Sequence, residues 1–203
     1  MDELRQRRVE EISVVSGALA EAASRLFDRP GGDFEDGVLR LGHRPWVAPE
    51  NYAITIYPGM PAEVIDRYAQ RIQGGIPESY ASLLRAFSGA FVYGISLAGI
   101  PASMAGAATL VDRKILRCHD LSLATTFWAM EYSKVPAGAF HFGGRSFTSR
   151  SNVGYFLAGD KIISLRNSGK KIGEWTDFDT FMREEIIESI KLDESLHPSP
   201  PSN

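Results

Sequence analysis

Four residues carry most of the reactive chemistry in this chain: Cys118, His119, Asp120 and, further on, His141. A cysteine thiolate with a histidine base and an acid is the constellation a small hydrolase would use. The same side chains offer sulfur, nitrogen and oxygen donors to a metal, but one local cluster supplies too few ligands of suitable spacing, and His43 and His197 stand alone. A lone cysteine serves more often as a small core residue, and a lone histidine more often as a satisfied structural one. No G-x-S-x-G elbow, no phosphate-binding G-x-x-x-x-G-K-[ST] loop and no strand-to-helix G-x-G-x-x-G occurs. Gly143-Gly144 lies inside a strand pattern, where a bulge or close backbone approach is expected. Lys134, Arg145 and Arg150 form a weak basic patch diluted by Asp120 and Glu131. Asp177, Asp179, Glu184 and Glu185 are paired carboxylates near a helix start, where they favour the helix dipole; Asp177 is a natural N-cap. No cofactor and no metal are expected.

The elements that must position these groups follow from periodicity. Residues 3–28 read as one amphipathic helix, with Gly17 inside it, stopped at Arg29-Pro30-Gly31-Gly32. The stretch 30–50 is expected as a connection laid over the body. Tyr52–Tyr57 is a strand. Pro61 and Pro77 each open a helix, closed by Gly74-Gly75 and by Ser88-Gly89 respectively. Phe91–Leu97 reads as one strand, 98–108 as a small-residue loop, and Asp120–Tyr132 as a helix with Leu121, Ala124, Thr125, Trp128 and Tyr132 on one side. Short strands are expected at 140–147, 154–157, 162–166 and 171–175, with hairpin turns at Gly159-Asp160 and Ser168-Gly169. A last helix, about 178–191, precedes a Pro/Ser-rich tail. Strands do not alternate with helices, so the expected class is α+β, a single domain with an antiparallel sheet and an extra N-terminal helix. The expected organisation is 1–50 (N-terminal helix and connection), 51–192 (the main domain) and 193–203 (a disordered tail).

At 203 residues, 44% hydrophobic and 23% charged, the chain is ordinary for a globular protein, and disordered classes are excluded. One cysteine permits no intrachain disulfide, and no apolar run reaches membrane length, so a cytoplasmic protein without a membrane partner is expected. The net charge of −3 disfavours a general nucleic-acid binder. That small total hides an uneven distribution: residues 172–196 hold 8 acidic and 2 basic side chains.

One stretch is more specific. Ile76-Pro77-Glu78-Ser79-Tyr80, followed by Leu83-Leu84 and Phe87-Ser88-Gly89, resembles the "I/L-P-x-x-Y-x-x-[FL]-L-x-x-x-N-G" signature of the SUKH superfamily, which includes a fungal cell-wall-synthesis regulator and many bacterial immunity proteins. Ser88 stands where that family usually has Asn. Leu97-Ala98-Gly99, the late strands and Phe178-Asp179-Thr180-Phe181-Met182 are similar to later parts of the pattern, so the resemblance covers roughly 58–190. It implies a curved antiparallel sheet with helices packed against it, and a non-enzymatic protein that neutralises a cognate toxin domain of a polymorphic or contact-dependent system. Such toxins include nucleases and deaminases. It supplies no catalytic residues. The alternatives are a regulatory or scaffold protein of the cell-wall-regulator type, and a small hydrolase using Cys118, His119, His141 or Asp120. For an immunity protein the expected partner-binding side chains are Glu174, Asp177, Asp179, Glu184, Glu185 and Glu188, an acidic face suited to a basic toxin groove. Trp46, Tyr93 and Trp175 are aromatic candidates, but the first reading of each is a core residue.

Overall fold

The computed structural model describes residues 2–105, 118–146 and 152–198. Nine strands form a single open antiparallel sheet in which spatial order equals chain order. These are β1 (Asp33–Glu35), β2 (Val38–His43), β3 (Tyr52–Pro58), β4 (Phe87–Val92), β5 (Ile95–Leu97), β6 (Phe140–Arg145), β7 (Val153–Ala158), β8 (Lys161–Leu165) and β9 (Lys171–Trp175). Six α-helices accompany them among the described residues: α1 (Asp2–Ser13), α2 (Gly17–Ser24), α3 (Ala62–Ala69), α4 (Glu78–Ala86), α5 (Leu121–Thr126) and α6 (Phe178–Leu196). The fold is therefore α+β, as the order of elements predicts.

Period-two alternation gives the sheet its main core face. Leu39 and Leu41, Ile54 and Ile56, Ala90 and Val92, and Ile95 and Leu97 all point to it, joined by Phe142, Tyr155, Ile162 and Trp175. Residues from all six helices enter the same cluster: Ile12, Leu19, Ile65, Tyr68, Tyr80, Leu84, Leu121, Phe181 and Met182 among them. The signature helix is tied in by its tyrosine. Tyr80 is buried and donates to the Ala98 carbonyl at 2.6 Å, with the Phe142 carbonyl at 3.2 Å. Ser88 accepts from the Ile100 amide at 2.8 Å and donates to its carbonyl at 3.0 Å, so it locks β4 to the segment after β5.

Several expectations are corrected. The region 3–28 is two helices, not one: α2 starts afresh at Ser16, an extended N-cap whose hydroxyl accepts from the Leu19 amide. The stretch 30–50 is not a plain connection, because it contains the β1–β2 hairpin. Its turn is Asp36-Gly37, both at positive φ (51° and 79°), the geometry that a two-residue hairpin needs. Phe91–Leu97 is likewise the end of one strand and the start of another, folded at Tyr93-Gly94 (φ 47° and 85°). Ser88 and Gly89 lie inside β4 rather than closing α4. The helix expected over 120–132 is α5 followed by a 3₁₀ turn at Trp128–Glu131. α6 runs on to Leu196, so residues 193–196 are helical rather than tail. Residues 106–108 of the expected loop, Phe147 of the expected strand, Arg150 of the basic patch and 199–203 of the tail lie outside the described residues.

Candidate functional site

The second face of the sheet carries smaller apolar clusters and one cleft. Cys118 packs there with Val38, Tyr57 and Phe91. Farther across, Phe156, Ile163 and Leu165 are covered by Ala129, Tyr132 and Val135. Between these clusters opens a cleft of about 450 Å³, walled by Phe91, His119, Trp128, Glu131, Tyr132 and His141, with Gly143, Gly144 and Ser96 among its lining residues.

Its geometry is built from α5 outward. Asp120 caps α5, accepting from Ser122 N–H at 2.8 Å, and it also accepts from the Tyr68 hydroxyl at 2.5 Å. Burial raises the Asp120 pKa, but the hydrogen bonds from Ser122 and Tyr68 outweigh it and hold the carboxyl below its usual range. So anchored, α5 presents the Ala124 carbonyl 2.8 Å from His141 Nδ1. That contact makes Nδ1 a donor to the carbonyl. His141 is only 3% exposed, its Nε2 is closed off from solvent, and its ring also lies by the Gly143 carbonyl. The 3₁₀ turn then delivers Trp128, Glu131 and Tyr132. The Tyr132 ring settles over Gly154, where a Cβ would come within 2.6 Å of its Cζ. Opposite, β6 bulges between His141 and Gly143, and a Cβ at Gly143 would lie 2.2 Å from the Ser96 carbonyl. The expected bulge and close approach at Gly143-Gly144 are both present.

His119 forms the other wall. Ser96 Oγ lies 2.6 Å from its Nδ1, and its ring meets Phe91 and Trp128 edge-on at 4.8 and 4.9 Å. Although His119 is accessible to solvent, enclosure of its ring pushes its pKa below the ordinary value. Burial does the same to His141, against the opposing pull of the Ala124 and Gly143 carbonyls and the Glu131 charge. Both shifts favour the neutral imidazole, and Glu131, which makes no hydrogen bond or ion pair to a described residue, shares the cleft lining with Arg145.

The four residues with reactive chemistry do not converge. His119 and His141 share the cleft, but Cys118 is buried in its own apolar cluster and Asp120 is committed to α5 and Tyr68. Among the described residues no group of three or more His, Cys, Asp or Glu is placed to hold a metal ion. His43 instead meets the Pro49 carbonyl at 2.8 Å.

The acidic residues of the C-terminal segment also have places in the fold. Glu174 on β9 is clamped between Lys161 (2.5 Å) and Lys171 (2.6 Å), and these hydrogen bonds and charges lower its pKa to about 2. Asp177 is the N-cap of α6, accepting from Thr180 N–H at 2.8 Å, as its position in the sequence predicts. Asp179 accepts from Ala18 N–H at 2.8 Å and pairs with Arg183 at 3.1 Å. Glu184 accepts from the Trp175 indole at 2.8 Å yet stays exposed. Glu188 is also exposed, 3.9 Å from Arg145. Glu185 does not belong to an exposed face: it is buried, accepts from the Tyr155 hydroxyl and lies 3.3 Å from Arg145. Of the aromatic candidates, Trp175 is core, Tyr93 is half-buried at a hairpin turn and Trp46 is exposed.

Sequence reasoning placed Trp128 and Tyr132 on the inward side of a helix and did not see the cleft. A signal was present: Leu123, Phe127 and Met130 make the opposite side of that segment apolar too, at steps of four and three. In the structure these three are 42%, 62% and 80% exposed. An apolar stripe on both sides of a short surface helix is what a docking element requires. No described helix is long and apolar enough to cross a membrane. Comparison with protein-family models, with curated proteins and with solved structures returns no match.

Proposed function

We propose that this chain is a non-enzymatic immunity protein of the SUKH type, which binds a cognate toxin domain in the cytoplasm and blocks it. The observation that carries the reading is the signature helix. Its proline, tyrosine and leucines are read from the sequence as a unit, and in the fold Tyr80 joins α4 to the residue after β5 and to the middle of β6 through two backbone carbonyls. The exposed stripe of Leu123, Phe127 and Met130 beside an aromatic cleft supports a role in binding another protein, since large exposed apolar side chains gathered at one place favour association. The exposed acids Glu184 and Glu188 of α6 suit a partner whose groove attracts phosphate, as a nuclease's does.

The test is co-expression with the toxin domain encoded beside this gene. Protection of growth and a co-purifying complex are expected. Charge reversal at the two exposed acids, Glu184→Lys with Glu188→Lys, should slow association and flatten its dependence on salt. Unprotected cells with no complex would remove the immunity reading. Unchanged association would remove the acidic face alone.

A further inference from the structure

α5 and the 3₁₀ turn after it leave two complementary features uncovered. One is a ridge: Leu123, Phe127 and Met130 follow at steps of four and three and stand 42%, 62% and 80% exposed. The other is the cleft, whose walls include the half-buried rings of Phe91 and Trp128 and the exposed ring of His119. Phe127 and Trp128 are chain neighbours on one helical segment, so the ridge and the cleft wall adjoin. The same segment carries two unspent charges of opposite sign. Glu131 and Lys134, three positions apart, are both exposed, and neither makes a hydrogen bond or ion pair to a described residue.

We infer that this surface joins two copies of the chain about a two-fold axis, with the Phe127 ridge of each copy seated in the aromatic cleft of the other. A two-fold contact requires a surface to be its own complement, because whatever one copy offers the same patch must receive. A ridge beside a groove meets that requirement: two such segments laid antiparallel interdigitate. So do an acid and a base without partners of their own, since Glu131 of each copy then meets Lys134 of the other. A different protein would need only one member of each pair. The cleft, at about 450 Å³, has ample room for a phenyl ring, and its aromatic walls offer edge-to-face contacts to it. The dimer goes beyond the toxin-binding role and does not rest on it. The stripe then serves the second copy, and Glu184 and Glu188 on α6 remain the surface offered to a toxin.

The test uses this chain by itself, so its failure and that of the immunity reading are separate results. Sedimentation equilibrium is run from about 1 μM to about 500 μM, the range in which a contact of such small extent dissociates. The mass should rise from monomer toward dimer. Phe127→Ser, a change at an exposed position, should weaken the association by roughly tenfold or more. Glu131→Lys and Lys134→Glu should each weaken it by about tenfold, because each sets like charges against one another across the axis. An equal mixture of these two variants should recover the dimer, since between unlike copies every facing pair is again opposite in sign. That recovery is specific to a two-fold contact and shows both variants to be folded. The inference is overturned by a chain that stays monomeric over the whole range. A dimer that survives Phe127→Ser unchanged, or a mixture no tighter than its separate variants, overturns it too. So does a monomeric chain whose complex with the neighbouring toxin domain is loosened by Phe127→Ser, since the ridge then belongs to that partner.

Discussion

Glu185 shows how far a side chain's job can depart from its place in a charge count. In sequence it belongs to an acidic run; in the fold it accepts from Tyr155 and faces Arg145 inside the protein. Burial pushes its pKa above the ordinary value of 4.5, against the opposing pull of Tyr155 and Arg145. A carboxyl raised in this way contributes stability below its unfolded pKa and loses it as pH rises through the folded value. Glu185→Gln should therefore gain stability relative to the natural chain as pH climbs from about 4 toward 7, in paired urea titrations. A difference that stays flat with pH would contradict this. Gly89 makes the opposite point, because its role was partly legible. The sequence marked it as the glycine of a signature, but placed it at a helix end. It sits within β4 at φ 91°, and a Cβ there would lie 2.8 Å from Cys118 Cβ and 3.0 Å from the Leu97 carbonyl. Gly89→Ala should cost roughly 1–3 kcal/mol in chemical denaturation, from backbone strain and the close contacts together.

At the scale of elements, the junction of α2 with α6 is the least local feature of the fold. Ser16 caps α2 from within, and Asp179 adds a second acceptor to the same helix end, reaching Ala18 N–H across 161 positions of sequence. The Ala18 hydrogen bond, with Arg183 and Ser16, lowers the Asp179 pKa against a smaller burial effect. Its contribution is thus present above the unfolded value and fades as pH falls. Asp179→Ala should cost about 1 kcal/mol near pH 7 and much less at pH 3, checked by thermal unfolding at both. No reading of residues 3–28 could supply that partner, and apolar periodicity alone ran the two helices together. The β1–β2 hairpin differs: Asp36-Gly37 was a usable turn signal, hidden by the prolines and scattered apolar residues around it. The late strands β6 to β9, with clear alternation and clear turns, were legible to within about a residue or two at most ends. The cleft was not. It depends on a bulge, on a glycine seat for Tyr132 and on a carbonyl from α5 meeting His141, none of which leaves a periodic trace.

Across the whole molecule, the first fifty residues are structurally continuous with the rest. β2 supplies Leu39 and Leu41 to the main core, α1 and α2 supply Ile12 and Leu19, and the turn after α2 supplies Leu26. A chain beginning at residue 51 would bare the β3 edge and one flank of that core. It is expected to lose cooperative unfolding and the dispersed amide spectrum of the full chain. The sheet itself pairs each strand only with its neighbours in sequence, whereas α2 and α6 meet from opposite ends of the described chain. The two patterns have different kinetics. The hairpins β1–β2, β4–β5, β7–β8 and β8–β9 close short loops and can form early, but the α2–α6 seam must wait until α6 has been synthesised. Contacts made after the rate-limiting step govern how fast a protein comes apart rather than how fast it assembles. Asp179→Ala should then speed unfolding in stopped-flow measurements while leaving refolding nearly untouched, which would make the last helix the latch that sets the lifetime of the folded state.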